Sequence, residues 1–251
     1  MGSNSEFMNS NITGITTNNG LGRAIGVYTR EQFPSYNSFN NSNIVGSFAT
    51  NSEKNYGVAP RFDDTTMIGN LSFVGSAIGA NSVGVKLSNL DITIEDLSLS
   101  LIGSTNSLQK SIGVDINNIF IPTANSIEFN GTGDFGVMID NKTDVSSSLI
   151  RIQGQGVSRH GIRLRSEEDL VLRSDSLIME GASDSDPGIM LFSFKMNGTS
   201  EENCFVSASG RSESSAPIQV SSDFDVGRCA LNISNYVRFL TNTTLHGDIN
   251  S

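Results

Sequence analysis

The chain is poor in several residue types whose presence would have narrowed its function. Its 251 residues include no Trp, five Pro, two Cys and two His. His160 and His246 are far apart and have no Cys or further His at the spacing of zinc ligands, so we expect no metal site. No run of roughly 18 apolar residues occurs, which argues against a membrane-spanning helix and so against membrane insertion by this segment.

Positive charge is also scarce. Sixteen Lys and Arg stand against 26 Asp and Glu, for a formal net charge of -10. Nucleic acids and anionic membranes are bound through a net basic face, so we expect no nucleic-acid partner. The chain also lacks a Gly-x-Ser-x-Gly elbow, a phosphate-binding loop and a nucleophile beside an evident base. These absences argue against an enzyme and against a bound cofactor.

Asn, Ser and Gly are abundant instead, and they belong to an internal repeat. Each copy has a glycine, Val or Ile at +1, Leu or Ile at +3, and Asn or Ser at +5. The copies start at Gly84, Gly113, Gly136, Gly161 and Gly188, and Pro217 takes the glycine's place in a further copy. The starts are therefore spaced by 29, 23, 25, 27 and 29 residues.

A second motif, apolar-x-apolar-x-Gly, precedes each of these starts. It occupies residues 71–75, 99–103, 127–131, 150–154, 177–181 and 206–210, and LNISN at 231–235 closes the series. Such short alternations indicate strands, because successive side chains point to opposite faces. Each repeat therefore reads as a strand, a loop, a second strand, a small polar turn and a weaker third strand.

A unit of this kind cannot bury its apolar side alone, so its copies must stack. We predict an all-β fold, a right-handed parallel β-helix (β-solenoid) with about 23–31 residues per coil. Residues +1 and +3 should point inward, the glycine should adopt a backbone conformation closed to other residues, and Asn at +5 should turn the corner and bond to its counterparts. A β-sandwich is the alternative, but it needs no common residue at +5.

The regularity of the repeat divides the chain. The polar start MGSNSEF lacks the apolar core of a secretory signal. We interpret residues 1–7 as vector-derived, residues 8–70 as degenerate coils or a cap, residues 71–240 as regular coils and residues 241–251 as a tail. Residues 8–70 carry aromatics that suit either a cap over the core or a binding loop. These are Tyr28, Phe33, Tyr36, Phe39, Phe48, Tyr56 and Phe62.

The succession of apolar-x-apolar-x-Gly, loop and Gly-Ile-x-Leu-x-Asn over residues 12–240 resembles filamentous-haemagglutinin-like exoproteins of Gram-negative bacteria and related autotransporter passengers. The resemblance implies a secreted or cell-surface filament outside the outer membrane. It further implies an adhesin, or the stalk or receptor-binding part of a toxin-delivery protein, with a protein or glycan receptor on another cell. The Asn-Pro-Asn-type secretion motif of such proteins is absent, so we expect an interior segment.

Pectate lyases and phage tailspikes are also β-helices, so glycan binding or cleavage is the alternative function. Cleavage needs paired carboxylates, or acidic Ca²⁺ ligands beside a base. The acidic clusters Glu95–Asp96, Glu167–Asp169 and Asp184–Asp186 fall in expected loops or turns, where charge runs are usually solvated. We therefore assign no catalytic residue.

Arginines concentrate in one stretch of this acidic chain, around His160. Arg163 should point outward from the +2 column, with Met138 below and Met190 above. We expect these methionines to be exposed, and exposed Met beside Arg is common at adaptable interfaces. Alternatively the arginines pair with neighbouring acids, such as Glu128 one coil below Arg151. The candidate binding residues are Arg151, Arg159, Arg163, Arg165, Met138 and Met190, and Arg173 lies in the same stretch.

The two cysteines occupy equivalent positions. Cys204 and Cys229 each lie two residues before the strand motif of their coil and are 25 residues apart. Stacked positions place α-carbons about 5 Å apart, within the range that a disulfide accepts. We predict a Cys204–Cys229 disulfide, which would suit an oxidising extracellular compartment, with two buried thiols as the alternative.

Overall fold

The computed structural model describes residues 6–16, 23–30, 38–40, 43–49, 54–61, 65–106, 109–197, 204–221, 224–225, 229–234, 237–239 and 245–246. Over these residues the regular structure is entirely β-strand, and the strands pair in parallel. The protein is therefore an all-β parallel β-solenoid with about 27 residues per turn, as the repeat predicted.

The strands follow one another closely along the chain. In order they are β1 Glu6–Met8, β2 Asn11–Thr16, β3 Arg23–Arg30, β4 Ser38–Asn40, β5 Asn43–Ala49, β6 Lys54–Arg61, β7 Thr65–Ile78, β8 Val83–Thr105, β9 Ile112–Ile121, β10 Ser126–Gly133, β11 Phe135–Asp140, β12 Thr143–Gly156, β13 Ile162–Ser183, β14 Ile189–Asn197, β15 Phe205–Ser212, β16 Ile218–Val220, β17 Phe224–Asp225, β18 Ala230–Ser234, β19 Val237–Phe239 and β20 Leu245–His246. The longest strands continue around a corner from one side of the solenoid to the next.

Each coil contributes one strand segment to each of three faces. Face A contains β2, β5, β10, β15 and β18 with the C-terminal parts of β7, β8, β12 and β13. Face B contains β3, β6, β11, β16 and β19 with the N-terminal parts of β8, β9, β13 and β14. The remaining segments form face C. The third strand of each repeat is thus present.

The core consists of ladders of equivalent residues. On face A, a register column runs through Ile12, Ile44, Phe73, Leu101, Phe129, Ile152, Met179, Ala208 and Ile233. On face B, the +1 and +3 residues of the glycine motif are buried, as predicted. They are Val85, Leu87, Val114, Ile116, Val137, Ile139, Ile162, Leu164, Ile189, Leu191, Ile218 and Val220, each 0–2% exposed. This continuous apolar column supplies the burial that no single coil has alone.

The glycines at the corner between faces A and B are required for a reason that the sequence did not reveal. Left-handed backbone among the described glycines occurs only at Gly69 and Gly79, so the predicted special conformation of the motif glycines was wrong. Close approach is the cause instead. A Cβ on Gly131 would lie 2.0 Å from the carbonyl oxygen of Gly136, and one on Gly136 would lie 2.4 Å from that of Gly161.

The same contact recurs at each corner. A Cβ on Gly154 would lie 1.9 Å from the carbonyl oxygen of Gly161, and a Cβ on Gly210 would lie 2.2 Å from the carbonyl oxygen of Pro217. The residue at position zero therefore supplies a carbonyl group to the glycine that ends face A. Pro has that carbonyl too, which explains why the register survives at Pro217, where Ile218 still pairs with Ile189.

Asparagines turn the corner between faces B and C. Asn118 and Asn141, both at +5, have φ angles of 54° and 61°. Asn tolerates this left-handed conformation better than most residues, so the predicted corner role holds at these two positions. The bond between coils differs in detail, because Asn141 Nδ2 donates to Oδ1 of Asn117, the residue before +5, at 3.1 Å.

The described residues nearest each end of the chain follow the same stacking. Glu6 and Phe7, which we assigned to a vector-derived leader, pair with Ser38 and Phe39, and the tail contributes Leu245–His246, which pairs with β17. Of the N-terminal aromatics, Phe33, Tyr36 and Phe62 lie outside the described residues.

Cys204 and Cys229 are joined by a disulfide, with their α-carbons 4.6 Å apart. The next residues, Phe205 and Ala230, are register partners on face A, and the Ala230 N–H donates to the Cys204 carbonyl at 2.9 Å. The bridge therefore ties together two successive coils near the C-terminal end, where the neighbouring strands are short.

We expect the Cys204→Ala, Cys229→Ala double variant to lose about 2 kcal/mol of stability, because the bridge restricts the unfolded chain. The loss should fall mainly on the last coils, measured as faster amide hydrogen exchange in residues 204–221 and 229–234. Non-reducing mass spectrometry after unfolding checks the bond itself. Two alkylatable thiols in protein that has never met a reductant would show that the bridge does not form.

Candidate binding surface

The outward side of face B is a trough lined by charged and sulfur-containing side chains. Since +1 and +3 point into the core, the +2 side chain between them points outward. Asp115, Met138 and Met190 hold this position, yet they are only 7%, 8% and 4% exposed. Neighbouring side chains therefore enclose the column. We call this surface the face B trough, and it comprises Lys86, Asp115, Met138, Asp140, Arg163 and Met190.

At one end of the trough, Lys86 and Asp115 form an ion pair between adjacent coils. Lys86 Nζ donates to Asp115 Oδ2 at 2.9 Å and lies 5.9 Å from the ring centroid of Tyr56. Burial by itself lowers the pKa of Lys86, but the attraction of Asp115 and smaller contributions from Tyr56 and Asp140 leave that pKa raised. Lys86 is therefore fully charged at neutral pH.

Two coils beyond Asp115, Arg163 contacts both a carboxylate and an aromatic ring. Its Nη2 donates to Asp140 Oδ2 at 2.8 Å, and its guanidinium carbon lies 5.4 Å from the ring centroid of Phe135, in cation–π range. The side chains of Arg163 and Asp140 are 19% and 20% exposed. Burial raises the pKa of Asp140, Arg163 opposes that rise, and nearby Asp115 adds to it.

His160 lies at the edge of the trough, in the loop that leads into face B. Its ring meets the Phe135 ring edge-on with centroids 6.0 Å apart, and its Nδ1 is 3.9 Å from Asp186 Oδ2. Burial lowers the pKa of His160, Asp186 opposes this, and Arg163 and Arg159 reinforce it. The imidazole is therefore neutral at pH 7, and its contact with Asp186 is not an ion pair there.

Because the pKa of His160 is lower in the folded chain than its ordinary value of 6.5, the unfolded chain takes up a proton first as the pH falls. The contribution of His160 to the free energy of unfolding is thus complete above pH 6.5, and it is lost as the pH falls through the folded-state pKa. We expect the melting temperature to drop between pH 7 and pH 5, and His160→Gln to reduce that drop. An unchanged pH profile in the variant would contradict this assignment.

Three buried polar atoms on this surface have no hydrogen-bond partner in the described part of the chain. They are Asp140 Oδ1, Arg163 Nε and His160 Nδ1. Buried polar groups are nearly always satisfied in native proteins, and each exception calls for an explanation such as water or a ligand. Two of these atoms belong to the trough and the third lies at its edge, so this surface contains covered polar groups whose hydrogen-bonding capacity is unused.

Beside the trough, the loops between faces A and B form a row with a groove of about 340 Å³. The groove spans the loops of four successive coils. Its lining residues are Ala80, Asn81, Gln109, Lys110, Asp134, Ser158 and Arg159. Apart from Ala80, each of these side chains is polar or charged, so the groove suits a hydrophilic ligand.

Asp134 holds this row of loops together. It is 3% exposed. Its Oδ2 accepts from the Lys110 backbone N–H at 2.8 Å, its Oδ1 accepts from the Ser158 hydroxyl, and its own N–H donates to Ser111 Oγ at 3.1 Å. A buried carboxylate with both oxygens hydrogen-bonded is a structural clamp across three coils, and it keeps its negative charge beside the groove.

The structure distributes the sequence-predicted arginines over all three faces. Arg151 lies on face A in register with Glu128, Arg173 lies on face C, and Arg163 and Arg165 lie on face B. Arg159 is in the loop between faces A and B, where it lines the groove. Arg159 and Arg163 both lie near His160, and Arg165 lies beside Arg163 near Asp140. Arg151 and Arg173 lie apart from them, because each strand segment turns its side chains to its own face.

Pairing with acids accounts for several of these arginines. Arg173 makes two hydrogen bonds to Asp144, one of them 3.0 Å long, and Arg159 Nη1 lies 3.8 Å from Asp186 Oδ2. Arg163 has Met138 and Met190 as register partners, as predicted. The expected exposure of these two methionines was wrong, because the trough encloses them.

Two of the three acidic clusters lie elsewhere than predicted. Residues 95–96 and 167–169 are within the long strands β8 and β13, which continue through the corner near face C. Asp184 and Asp186 do lie in a loop. Over the described residues, no group of three or more His, Cys, Asp or Glu side chains is placed to hold a metal ion.

Sequence reasoning missed Lys86, Asp115 and Asp140 of the trough, and every groove residue except Arg159. Asp140 and Phe135 flank the glycine motif at +4 and -1, and the groove residues occur in loops of unequal length. The opposite charges at the +2 positions, on Lys86, Asp115 and Arg163, were the one feature of the sequence that indicated this surface.

No family model, curated protein or solved structure matches the chain. The class of protein that the fold defines is the parallel β-solenoid. In the part of the chain that the structure describes, there is no helix with the length and hydropathy needed to cross a bilayer.

Proposed function

We propose that this chain is a binding segment of a secreted or cell-surface β-solenoid protein, an adhesin or the receptor-binding part of a stalk. The observation that carries the proposal is the set of buried polar atoms without partners, on Asp140 and Arg163 in the face B trough and on His160 at its edge. The receptor is a protein or a glycan on another cell. The bacterial exoproteins that the repeat resembles provide the model for this role.

The fold supports the proposal because a solenoid repeats its faces along one axis and so presents a long surface for a partner. The disulfide between Cys204 and Cys229 agrees with an oxidising, extracellular location. The net charge of -10 disfavours nucleic acid as the partner.

Cell binding by fluorescently labelled protein tests the proposal. The Asp140→Asn, Arg163→Gln variant removes the charged pair of the trough and should weaken binding roughly tenfold, since charge-assisted contacts carry much of a polar interface. The chain offers a matched control in Asp144→Asn, Arg173→Gln, which removes a similar pair on face C. Equal loss in both variants, or no cell binding by the unaltered protein, would refute the assignment to face B.

Glycan cleavage is the second candidate, because Asp115 and Asp140 are close enough to influence one another electrostatically. Incubation with candidate polysaccharides, with and without Ca²⁺, followed by an assay for reducing ends and unsaturated products, decides between the two functions. Product formation that is lost in Asp140→Asn would replace the binding role with an enzymatic one.

A further inference from the structure

The loop between β13 and β14 contains a peptide bond that is chemically weaker than its neighbours. Among the five prolines of the chain, Pro187 alone follows an aspartate. The carboxylate of an Asp residue can attack its own main-chain carbonyl carbon and close a small ring. A proline nitrogen is a tertiary amide, which accepts a proton more readily than an ordinary peptide nitrogen and is therefore a better leaving group. The bond between Asp186 and Pro187 is thus the one that this chain can most easily cut with its own atoms.

The carbonyl group of this bond already accepts a hydrogen bond from the next coil. The Ser212 hydroxyl donates to the Asp186 carbonyl oxygen at 2.9 Å, and Ser212 Oγ in turn accepts from the Ser215 backbone N–H at 3.0 Å. These two bonds fix the hydroxyl with its proton toward the carbonyl oxygen. A donor in this place stabilises the negative charge that develops on that oxygen when a nucleophile attacks the carbonyl carbon.

An imidazole lies beside both residues of the bond. His160 Nδ1 is 3.9 Å from Asp186 Oδ2, and the ring also interacts with the backbone of Pro187. His160 Nδ1 is buried and has no hydrogen-bond partner within the residues that the structure describes. A protonated imidazole so placed can give its proton to the nitrogen that leaves when the bond breaks.

The groups around His160 decide when it is protonated. Burial, which includes contact with the Phe135 ring, lowers the pKa of His160. Asp186 opposes this decrease, whereas Arg163 and Arg159 reinforce it. His160 is therefore neutral at pH 7 and becomes an acid only in mildly acidic solution.

We propose that the folded chain cleaves its own Asp186–Pro187 bond in mildly acidic solution. The Asp186 carboxylate is the nucleophile. Ser212 donates to the oxyanion, and protonated His160 is the general acid. This activity is separate from the proposed binding function and does not depend on it.

The reaction consumes one water molecule. A carboxylate oxygen of Asp186 attacks the Asp186 carbonyl carbon, and the bond from that carbon to the Pro187 nitrogen breaks. The electron pair of this bond stays on the nitrogen, which takes the proton from His160 and becomes the amino end of the second fragment. Water then opens the cyclic anhydride that remains on Asp186. This step releases two protons, of which one returns to His160 and the other charges the new amine.

Cleavage alone does not separate the two fragments. Residues 187–251 remain stacked on residues 1–186, because β14 and β15 both pair with β13. Cys204 and Cys229 both lie in the second fragment, so their disulfide does not connect it to the first. Cut protein should therefore behave as one species in native conditions and as two in denaturing conditions without a reductant.

Incubation of the purified protein at about pH 5 and about pH 8, followed by denaturing electrophoresis and mass spectrometry, tests the inference. We expect one fragment that ends at Asp186 and one that begins at Pro187, formed faster at the lower pH. The same incubation in urea gives the rate of acid cleavage in the unfolded chain. That rate should be at least about tenfold lower, because the unfolded chain holds neither the oxyanion donor nor the imidazole in place.

Single variants assign the roles. Asp186→Asn removes the nucleophile and should abolish both fragments. Ser212→Ala should slow cleavage about a hundredfold, the usual effect of losing one oxyanion donor. His160→Gln should slow it about a hundredfold at the lower pH and should remove its increase with falling pH. Asp184→Asn removes an exposed acid of the same loop and should be cut at the unaltered rate.

Any of four results would overturn the inference. They are the absence of fragments at both pH values, fragments whose masses place the cut elsewhere, equal rates in folded and urea-unfolded protein, and unaltered rates in His160→Gln and Ser212→Ala. Thermal melting at the incubation pH verifies that each variant is folded. If a variant does not fold, the comparison of folded with urea-unfolded protein still decides, because it needs no substitution.

Discussion

Leu101→Asp is expected to lower the free energy of unfolding by about 4 kcal/mol or more, because it places an unpaired carboxylate inside the solenoid. Leu101 is 0% exposed and lies in the face A column between Phe73 and Phe129. In a stacked column, both neighbours lose their packing partner as well. Urea denaturation followed by far-ultraviolet circular dichroism measures the loss, and failure to obtain folded protein would be the extreme form of the same result.

The adjacent residue provides a matched control. Ile102 follows Leu101 on the same strand but is 42% exposed on the outer side of face A. Ile102→Asp places the same carboxylate in contact with solvent, so it should change the free energy of unfolding by no more than about 1 kcal/mol. Similar losses in the two variants would show that the inward and outward assignment of face A is wrong.

Gly131→Ala is expected to cost about 3 kcal/mol, although it adds one methyl group. Its Cβ would lie 2.0 Å from the carbonyl oxygen and 2.6 Å from the carbonyl carbon of Gly136, and both atoms belong to the backbone. A flexible side chain could move aside, but here two backbone segments of one coil, β10 on face A and β11 on face B, must separate, which is overpacking of the most rigid kind. Thermal and urea unfolding give the magnitude.

Thr132→Ala tests whether the glycine effect is steric. Thr132 follows Gly131 on the same strand and is partly exposed, so shortening its side chain should change stability by less than about 1 kcal/mol. If Gly131→Ala were as mild as Thr132→Ala, the corner would have room for a side chain, and the close approach of the two strands would be wrong.

The solenoid was predictable because its pattern is one-dimensional. Val137 and Ile162 occupy the same place in successive repeats, and stacking of like positions makes them register partners. Likewise, the shared distance of the cysteines from their strand motifs placed Cys204 and Cys229 in neighbouring coils. In both cases the position within the repeat is sufficient, and no knowledge of the loops is needed.

The binding surface was less predictable, because it depends on contacts between different repeat positions of adjacent coils. Arg163 is at +2 of one coil and Asp140 at +4 of the coil below, so their 2.8 Å contact follows from side-chain length and direction as well as from register. The burial of Met138 depends on its surroundings in the same way. The groove depends further on loops whose lengths differ from coil to coil, which no repeat pattern specifies.

The paired glycines at the corner also bear on how such a chain can lengthen during evolution. Gly131 and Gly136 face one another within one coil, and Gly154 and Gly161 do so in the next. A duplication that begins and ends on face C copies each pair intact and inserts a complete coil whose two ends match any neighbour. A duplication that begins between the two glycines separates them, and the new corner then has a side chain where a glycine is needed. Gene segments bounded on face C are therefore the units that can multiply or be exchanged without loss of fold.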